Sequence, residues 1–482
     1  MKKSYILAIL SGVLLGFSFP PLSFLPFILI AFVPLFFAIK GKDLRETFKL
    51  CLISFLLFFA ITMYWTLLIH VPLTQKAVIL ISFIIVPLLM TIPLVICRLL
   101  MLKFSSPRLL FLLPLFWGIY EFTQNYWESG VSWTNIGYGL SSFPSLMQFY
   151  SITGVVGGGM ILILINILIF HLWAQNKRRG VQQIVLILCI FGGTNLTLHF
   201  FGFDKEKENT ARVTIVQPNL DSYEKLNEHS LYNQVQTLLQ LTKRLKKGDT
   251  DLIVCPEGFL RSRKEAPIIL NNIDNNPAII ELKKLSLRLD APIITGLIGL
   301  QIPDSTNIQS GQTPDENQVK MYNTAILVAH DKPVQIYVKQ KLAPMMEKVP
   351  FSETFPSLKK FKFGFNQSQL NYSNDWKNEL FTYREMKIAP LICYDAVSTF
   401  KSSQLVNKGA NLIVVVSNDS WAGKTSGYVQ NSYFARALAI RHRIPVIRSA
   451  NTGRSSMVNQ SGEELEIIEW NIQNTKTTKI HL

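Results

Sequence analysis

The stretch Ala389-Pro390-Leu391-Ile392-Cys393-Tyr394-Asp395 stays apolar up to a cysteine and then turns polar. A short apolar run bounded in this way reads as a buried strand, with Cys393 at its end. Strand ends of α/β domains are where catalytic side chains project. Two other runs end alike. Leu252-Ile253-Val254-Cys255-Pro256 leads to Glu257, and Val334-Gln335-Ile336-Tyr337-Val338 leads to Lys339. Gln335, Tyr337 and Lys339 share one strand face, and Lys341 would join them if the strand continued, so spacing alone does not choose between the lysines. Taken singly, a buried thiol is inert and a strand-end charge is solvated. Together, a carboxylate, an ammonium and a thiol suit acyl transfer: a base, a cation for the developing oxyanion, and a nucleophile.

The chain around these ends has an α/β pattern. Arg212–Gln217 alternates and stops at Pro218-Asn219, as a strand does, and Glu228–Lys247 carries Leu231, Val235, Leu238, Leu239 and Leu245 at helical spacing. Further strands are expected at 251–255, 292–295, 325–329, 388–392, 411–417, 445–449 and 455–459, and helices at 278–289, 398–408 and 428–442. Alternating elements of this kind form layered α/β domains. Ser305–Val319 is polar and reads as a loop.

Upstream the chain changes character. Apolar residues make up 49% of the 482 and charged residues 17%, below the usual quarter, and the deficit lies in residues 1–202. Seven apolar stretches, about 4–20, 23–39, 49–70, 77–97, 109–123, 152–173 and 181–201, are of membrane-spanning character. The first has no clear small-residue cleavage site and runs through Phe19-Pro20-Pro21 into the next, unlike a removable signal peptide. The expected organisation is a transmembrane bundle of about seven helices over 1–202 and a catalytic domain over 203–482.

Cations set the orientation. Lys2 and Lys3, then Lys40, Lys42, Arg45 and Lys49, then Arg98, Lys103 and Arg108, then Lys177, Arg178 and Arg179 fall in every second connection. The alternate connections hold Lys76 alone, or, from Tyr120 to Tyr150, no Lys or Arg at all. Basic connections face the cytoplasm, which places residues 203 onward on the outer side. In or beside the cation-free loop lie Trp117, Glu121, Tyr126, Trp127, Glu128, Trp133 and Tyr138, which reads as an interfacial aromatic belt or a lipid-facing rim.

The net charge of +16 is spread over these connections and the second half without a nucleic-acid-binding motif, which argues against nucleic acid as a partner. Five cysteines form no disulfide framework, although Cys255 and Cys393 could pair in an oxidising compartment at the expense of a Cys393 nucleophile. There is no P-loop, no dinucleotide fingerprint, no His/Cys set with metal spacing, and no Gly-x-Ser-x-Gly elbow.

The second half resembles the nitrilase superfamily, and with the membrane half the likeness narrows to the apolipoprotein N-acyltransferases of bacterial envelopes. Motifs that carry it are Val216-Gln217-Pro218-Asn219, Pro256-Glu257, Tyr337-x-Lys339-x-x-Leu342-x-Pro344-x-x-Glu347-x-Val349-Pro350 and Cys393-Tyr394. Others are Ser417-Asn418-Asp419-x-Trp421, Gly427-Tyr428-x-Gln430, Arg448–Gly453, Trp117-x-x-x-Glu121 and Gly137-Tyr138. The resemblance implies a multi-span α-helical membrane domain plus an α/β soluble domain, an αββα sandwich. It also implies Glu257 as general base, Lys339 rather than Lys341 as oxyanion stabiliser, Cys393 as nucleophile, Glu347 and Asp395 in support, and Tyr394 in an acyl-pocket wall. Four features depart from the family pattern: Met345-Met346 for Phe-Gly, Asp395 for Glu, Leu226 for an aromatic residue, and an end at Leu482 where members carry a further transmembrane helix.

The activity so implied moves an acyl chain from a phospholipid, through a cysteine thioester, to the N-terminal amine of a diacylglyceryl-modified apolipoprotein. It takes place at the outer face of the cytoplasmic membrane, among membrane lipids and without metal or cofactor. A membrane-anchored amidase would use the same residues with water as acceptor. A non-enzymatic seven-span receptor or transporter would need none of them together.

Overall fold

The computed structural model describes residues 2–175, 177–201, 209–220, 230–261, 268–302, 319–344, 346–355, 357 and 372–482. Leu226, Met345 and positions 305–318 of the polar stretch lie outside the described residues. The chain forms two compact units, Met1–Asp204 with Thr425–Arg443, and Lys205–Lys424 with Ile444–Leu482.

In the first unit the helices are α1 (Lys2–Phe17), α2 (Val33–Ile39), α3 (Leu44–Met63), α4 (Leu73–Lys103), α5 (Leu113–Tyr126), α6 (Tyr150–Gln175) and α7 (Lys177–Phe201). Four stretches among the described residues, Leu44–Leu68, Gln75–Lys103, Tyr150–Ala174 and Gly180–Phe200, are long and apolar enough to cross a membrane. The apolar stretch at 23–39 is not one helix, because a 3-10 turn at Phe27–Leu29 precedes α2. A broken helix leaves backbone groups unpaired, which hydrocarbon does not tolerate. Asn166 of α6 meets that need: its Oδ1 accepts from Phe32 N at 2.9 Å and its Nδ2 donates to Ile28 O at 2.8 Å.

The aromatics in and beside the cation-free loop divide into a buried and an exposed set. Trp117, Trp133 and Tyr138 are buried, and only Tyr126 and Trp127 of the set are exposed aromatics. Buried Glu121 accepts from Trp117 Nε1 at 2.9 Å and from Ile136 N at 2.7 Å, tying α5 to the loop.

The second unit holds two sheets. The first contains β1 (Thr210–Gln217), β2 (Leu252–Val254), β3 (Ile268–Ile269), β4 (Ile293–Gln301), β5 (Lys320–Val328), β6 (Gln335–Val338) and β13 (Asn474–His481), in the order β13-β1-β2-β4-β5-β6 with β3 beside β4. The second contains β7 (Phe381–Tyr383), β8 (Met386–Ile392), β9 (Leu412–Ser417), β10 (Val446–Ala450), β11 (Ser455–Val458) and β12 (Glu464–Ile468), in the order β12-β11-β10-β9-β8-β7. In each sheet the central strands β1-β2-β4 and β8-β9-β10 are parallel neighbours; the short β3 is also parallel to β4, and the other flanking pairs are antiparallel.

Parallel strands need both faces covered, which explains their unbroken apolar runs. On the outer face of the first sheet lie α8 (Leu231–Leu241) and α9 (Pro277–Leu289), whose Val235, Leu238, Ile279, Leu282 and Leu285 share a core with Ile253, Ile293 and Ile326. Across the other face β1 meets β10 and β5 meets β8, sheet on sheet, while α10 (Thr399–Val406) covers β8. This is the expected layered α/β sandwich.

One helix lies on the other side of the division. α11 (Ser426–His442) packs in the first unit, far in sequence from its neighbours there. Buried Gln430 anchors it with all four of its hydrogen-bonding positions. Its Nε2 donates to Pro20 O at 2.9 Å and Thr62 O at 3.1 Å, and its Oε1 accepts from Trp133 Nε1 at 2.7 Å and Trp65 Nε1 at 3.2 Å.

Candidate active site

The three residues singled out at strand ends converge in the second unit, and none is solvated: Lys339 is 2% exposed, Cys393 8% and Glu257 9%. Each follows its strand directly or within a short turn, and the sandwich brings both sheets' ends together.

Glu257 sits in a turn that crosses closely over β4. A Cβ at Gly296 would lie 2.6 Å from Glu257 Cα, so only glycine admits this path. The carboxylate is held at both oxygens. Oε1 accepts from Asn323 Nδ2 at 2.8 Å and Lys339 Nζ at 3.2 Å, and Oε2 accepts from Asn418 N at 3.0 Å.

Lys339 also donates to Glu347 Oε1 at 2.9 Å, so one ammonium bridges two carboxylates. Burial alone would pull the ammonium's pKa down, but the charges of Glu257 and Glu347 outweigh it and hold it well above the ordinary lysine value. Asn323 Nδ2 makes a second bridge, with Glu347 Oε1 at 2.7 Å, and Glu347 Oε2 accepts from Ala343 N at 2.7 Å. Asn323 was not singled out from the sequence. Its signal was a polar amide just before the apolar run of β5, a position that a buried strand gives up only for a partner.

Cys393 starts a 3-10 turn (Cys393–Val397) at φ +46°, a left-handed conformation that is costly for a residue with a Cβ and that turns the thiol sharply off the strand. Burial pushes this thiol up to about 12, the Glu257 charge adds to the rise, and Lys339 opposes it. At neutral pH the group is therefore a thiol, and a nucleophilic role would need a base to take its proton. Tyr394 is buried in the same turn.

Asp395 is wholly buried and ties the lysine loop to the cysteine turn. It accepts from Tyr337 OH at 3.0 Å, Ile392 N at 3.2 Å, Gln340 N at 3.1 Å and Lys341 N at 2.6 Å. Burial pushes its carboxyl up to about 6 against those donors. Lys341, 8% exposed, is not a solvated charge either; burial, with Lys401 nearby, pulls it down to about 8.

A buried carboxylate beside a thiol, with an ammonium held between them and a second carboxylate, is equipped for acyl transfer through sulfur. Residues 212–482 match the model of the carbon-nitrogen hydrolases, and residues 11–168 match that of the apolipoprotein N-acyltransferase N-terminal domain. The chain belongs to the apolipoprotein N-acyltransferase branch of the carbon-nitrogen hydrolase family. Among relatives of this family, the apolipoprotein N-acyltransferase of Chlorobaculum tepidum is 28% identical over 499 residues, spanning 100% of this chain and 91% of its own. That of Geobacter metallireducens is 26% identical over 478 residues, spanning 96% and 86%. The solved structure of Saccharomyces cerevisiae Nit3, a nitrilase-superfamily member, covers 56% of this chain and 90% of its own at 18% identity, with a TM-score of 0.41. Family membership accounts for both halves of the chain: an acyltransferase enzyme with an α/β catalytic part and an apolar helical part.

Proposed function

We propose that this chain transfers a fatty acyl group from a membrane phospholipid to the α-amine of a diacylglyceryl-cysteine at a lipoprotein N-terminus, through a thioester on Cys393. The observation that carries the reading is the buried cluster in which Glu257 and Lys339 act on Cys393 while Glu347 holds Lys339, in a chain whose described residues include four stretches apolar enough to span a membrane.

Glu257 takes the thiol proton as the sulfur attacks the ester carbonyl carbon. Lys339 and backbone N–H groups hold the negative charge that develops on the carbonyl oxygen. The C–O bond breaks, and the lysophospholipid oxygen leaves with the proton from Glu257. The acceptor amine then attacks the thioester and gives a proton to Glu257. The C–S bond breaks, the amide is released, and the sulfur takes the proton back. Glu347 and Asn323 keep Lys339 and Glu257 in register, and Tyr394 lines the acyl pocket.

The same reading takes residues 1–202 as a bundle in the cytoplasmic membrane and 203–482 as the catalytic part on its outer face, supported by the alternation of basic connections. The test supplies a phospholipid with a labelled acyl chain and a diacylglyceryl-cysteine peptide to the purified protein. Label on the peptide amine, lost when that amine is acetylated, is expected. Release of the label only as free fatty acid would replace the reading by a hydrolase.

A further inference from the structure

Beside Cys393 lies a polar group that the mechanism above leaves unused. β8 and β9 are parallel, with Ile392 opposite Val416. Cys393, the first residue past β8, and Ser417, the last residue of β9, are therefore the next neighbours along the adjoining strands. The Ser417 hydroxyl lies 3.1 Å from Asp419 Oδ1, and from beside the Cys393 thiol it favours the ionised sulfur. It has one proton for two acceptors.

The other side of that hydroxyl is fixed. Arg448 Nη2 donates to Ser417 Oγ at 3.0 Å, and to Asp419 Oδ1 and Oδ2 at 2.7 and 3.0 Å, while Nη1 donates to Arg454 O at 2.7 Å. Arg448 and Asp419 are each 1% exposed. Such an ion pair is tolerated inside a protein only when its hydrogen bonds are well satisfied, as here. Gly453 makes room for it: a Cβ there would lie 1.9 Å from Asp419 Oδ2. An oxygen that already accepts from a guanidinium is a better donor through its own O–H.

We propose that Ser417 is a two-position donor to the reacting sulfur. Its proton rests on Asp419 while Cys393 is a thiol and turns to Cys393 when negative charge gathers there. A donor that strengthens only in the charged state lowers the barrier rather than the ground state. It serves the sulfur twice, when Glu257 removes the thiol proton and when the C–S bond breaks toward the amine. No bond to Ser417 forms, and its proton never leaves its oxygen. Arg448 and Asp419 are positioning residues for it.

This inference rests on Cys393 as the nucleophile, and its test does not depend on acyl transfer. Ser417→Thr and Ser417→Val differ only in a hydroxyl against a methyl. In the purified full chain, alkylation of Cys393 by iodoacetamide, followed by mass spectrometry at pH 9, is expected to stay near wild type for Ser417→Thr. It should fall about tenfold for Ser417→Val, the order expected for one hydrogen bond to a charged group. Equal rates for Thr and Val, whether both high or both low, would overturn the proposal and leave Ser417 a packing residue. Acyl label retained in Cys393→Ala would instead remove the nucleophile reading, while the Thr–Val difference would stand.

Discussion

Lys339 Nζ lies 3.2 Å from Glu257 Oε1 and 2.9 Å from Glu347 Oε1, so a single buried ammonium joins the two carboxylates of the site. Removing it leaves two carboxylates facing each other in a low-dielectric pocket, which costs more than a lost surface pair. Lys339→Ala is expected to reduce acyl transfer at least about a hundredfold. Lys341→Ala should keep most activity, because the bond from Lys341 to Asp395 comes from its backbone N. Transfer rates of the two variants, measured side by side, decide this; equal losses would mean that the lysine was assigned wrongly.

Glu257→Gln separates the base from the nucleophile. A neutral amide cannot take the thiol proton, so turnover should fall about a hundredfold or more. Yet the Glu257 charge is one of the causes that raise the Cys393 thiol. Without it the thiol ionises at lower pH, and alkylation of Cys393 at pH 9 should become faster as turnover collapses. A variant that keeps its turnover would contradict the role of Glu257 as base, and one whose alkylation slows would contradict its charge effect on the thiol.

Asn323 donates to both glutamates at 2.8 and 2.7 Å. Asn323→Ala removes two hydrogen bonds to charged groups, each worth about 1.5–3 kcal/mol. A loss of tenfold or more in kcat, with little change in KM, is expected from steady-state kinetics. An unchanged kcat would exclude Asn323 from the site.

Much of this was legible in the sequence because buried parallel strands write themselves as apolar runs. β8, β9 and β10 were expected within two residues of where they lie, and so were the catalytic candidates at strand ends. The edge strand β13, Asn474-Thr475-Lys476-Thr477-Thr478-Lys479-Ile480-His481, carries no apolar run, because Ile480 is its one buried residue and the others are polar and at least partly exposed. It is specified by pairing with β1 along eight residues, a tertiary fact. The helical spacing of α11 was readable, but its place in the first unit was not. That depends on Gln430 meeting Pro20, Thr62, Trp65 and Trp133, contacts without any local signal. The bridging by Asn323 and the path of Glu257 over Gly296 are likewise properties of strands brought together.

The orientation is open to labelling. Lys243 and Arg45 are exposed, the first in the catalytic unit and the second at the start of α3. With exposed Cys189 replaced, Lys243→Cys should react with an impermeant maleimide in cells whose outer envelope is opened. Arg45→Cys should react only after the inner membrane is broken. The reverse pattern would place the site in the cytoplasm and end the lipoprotein reading.

The central claim is that Cys393 carries the acyl group. The direct measurement is the intact mass of the purified protein after incubation with phospholipid and no acceptor. One added acyl chain is predicted, removed by neutral hydroxylamine and missing from Cys393→Ala. An acyl mass that persists in Cys393→Ala, or that maps to Cys255, would contradict it.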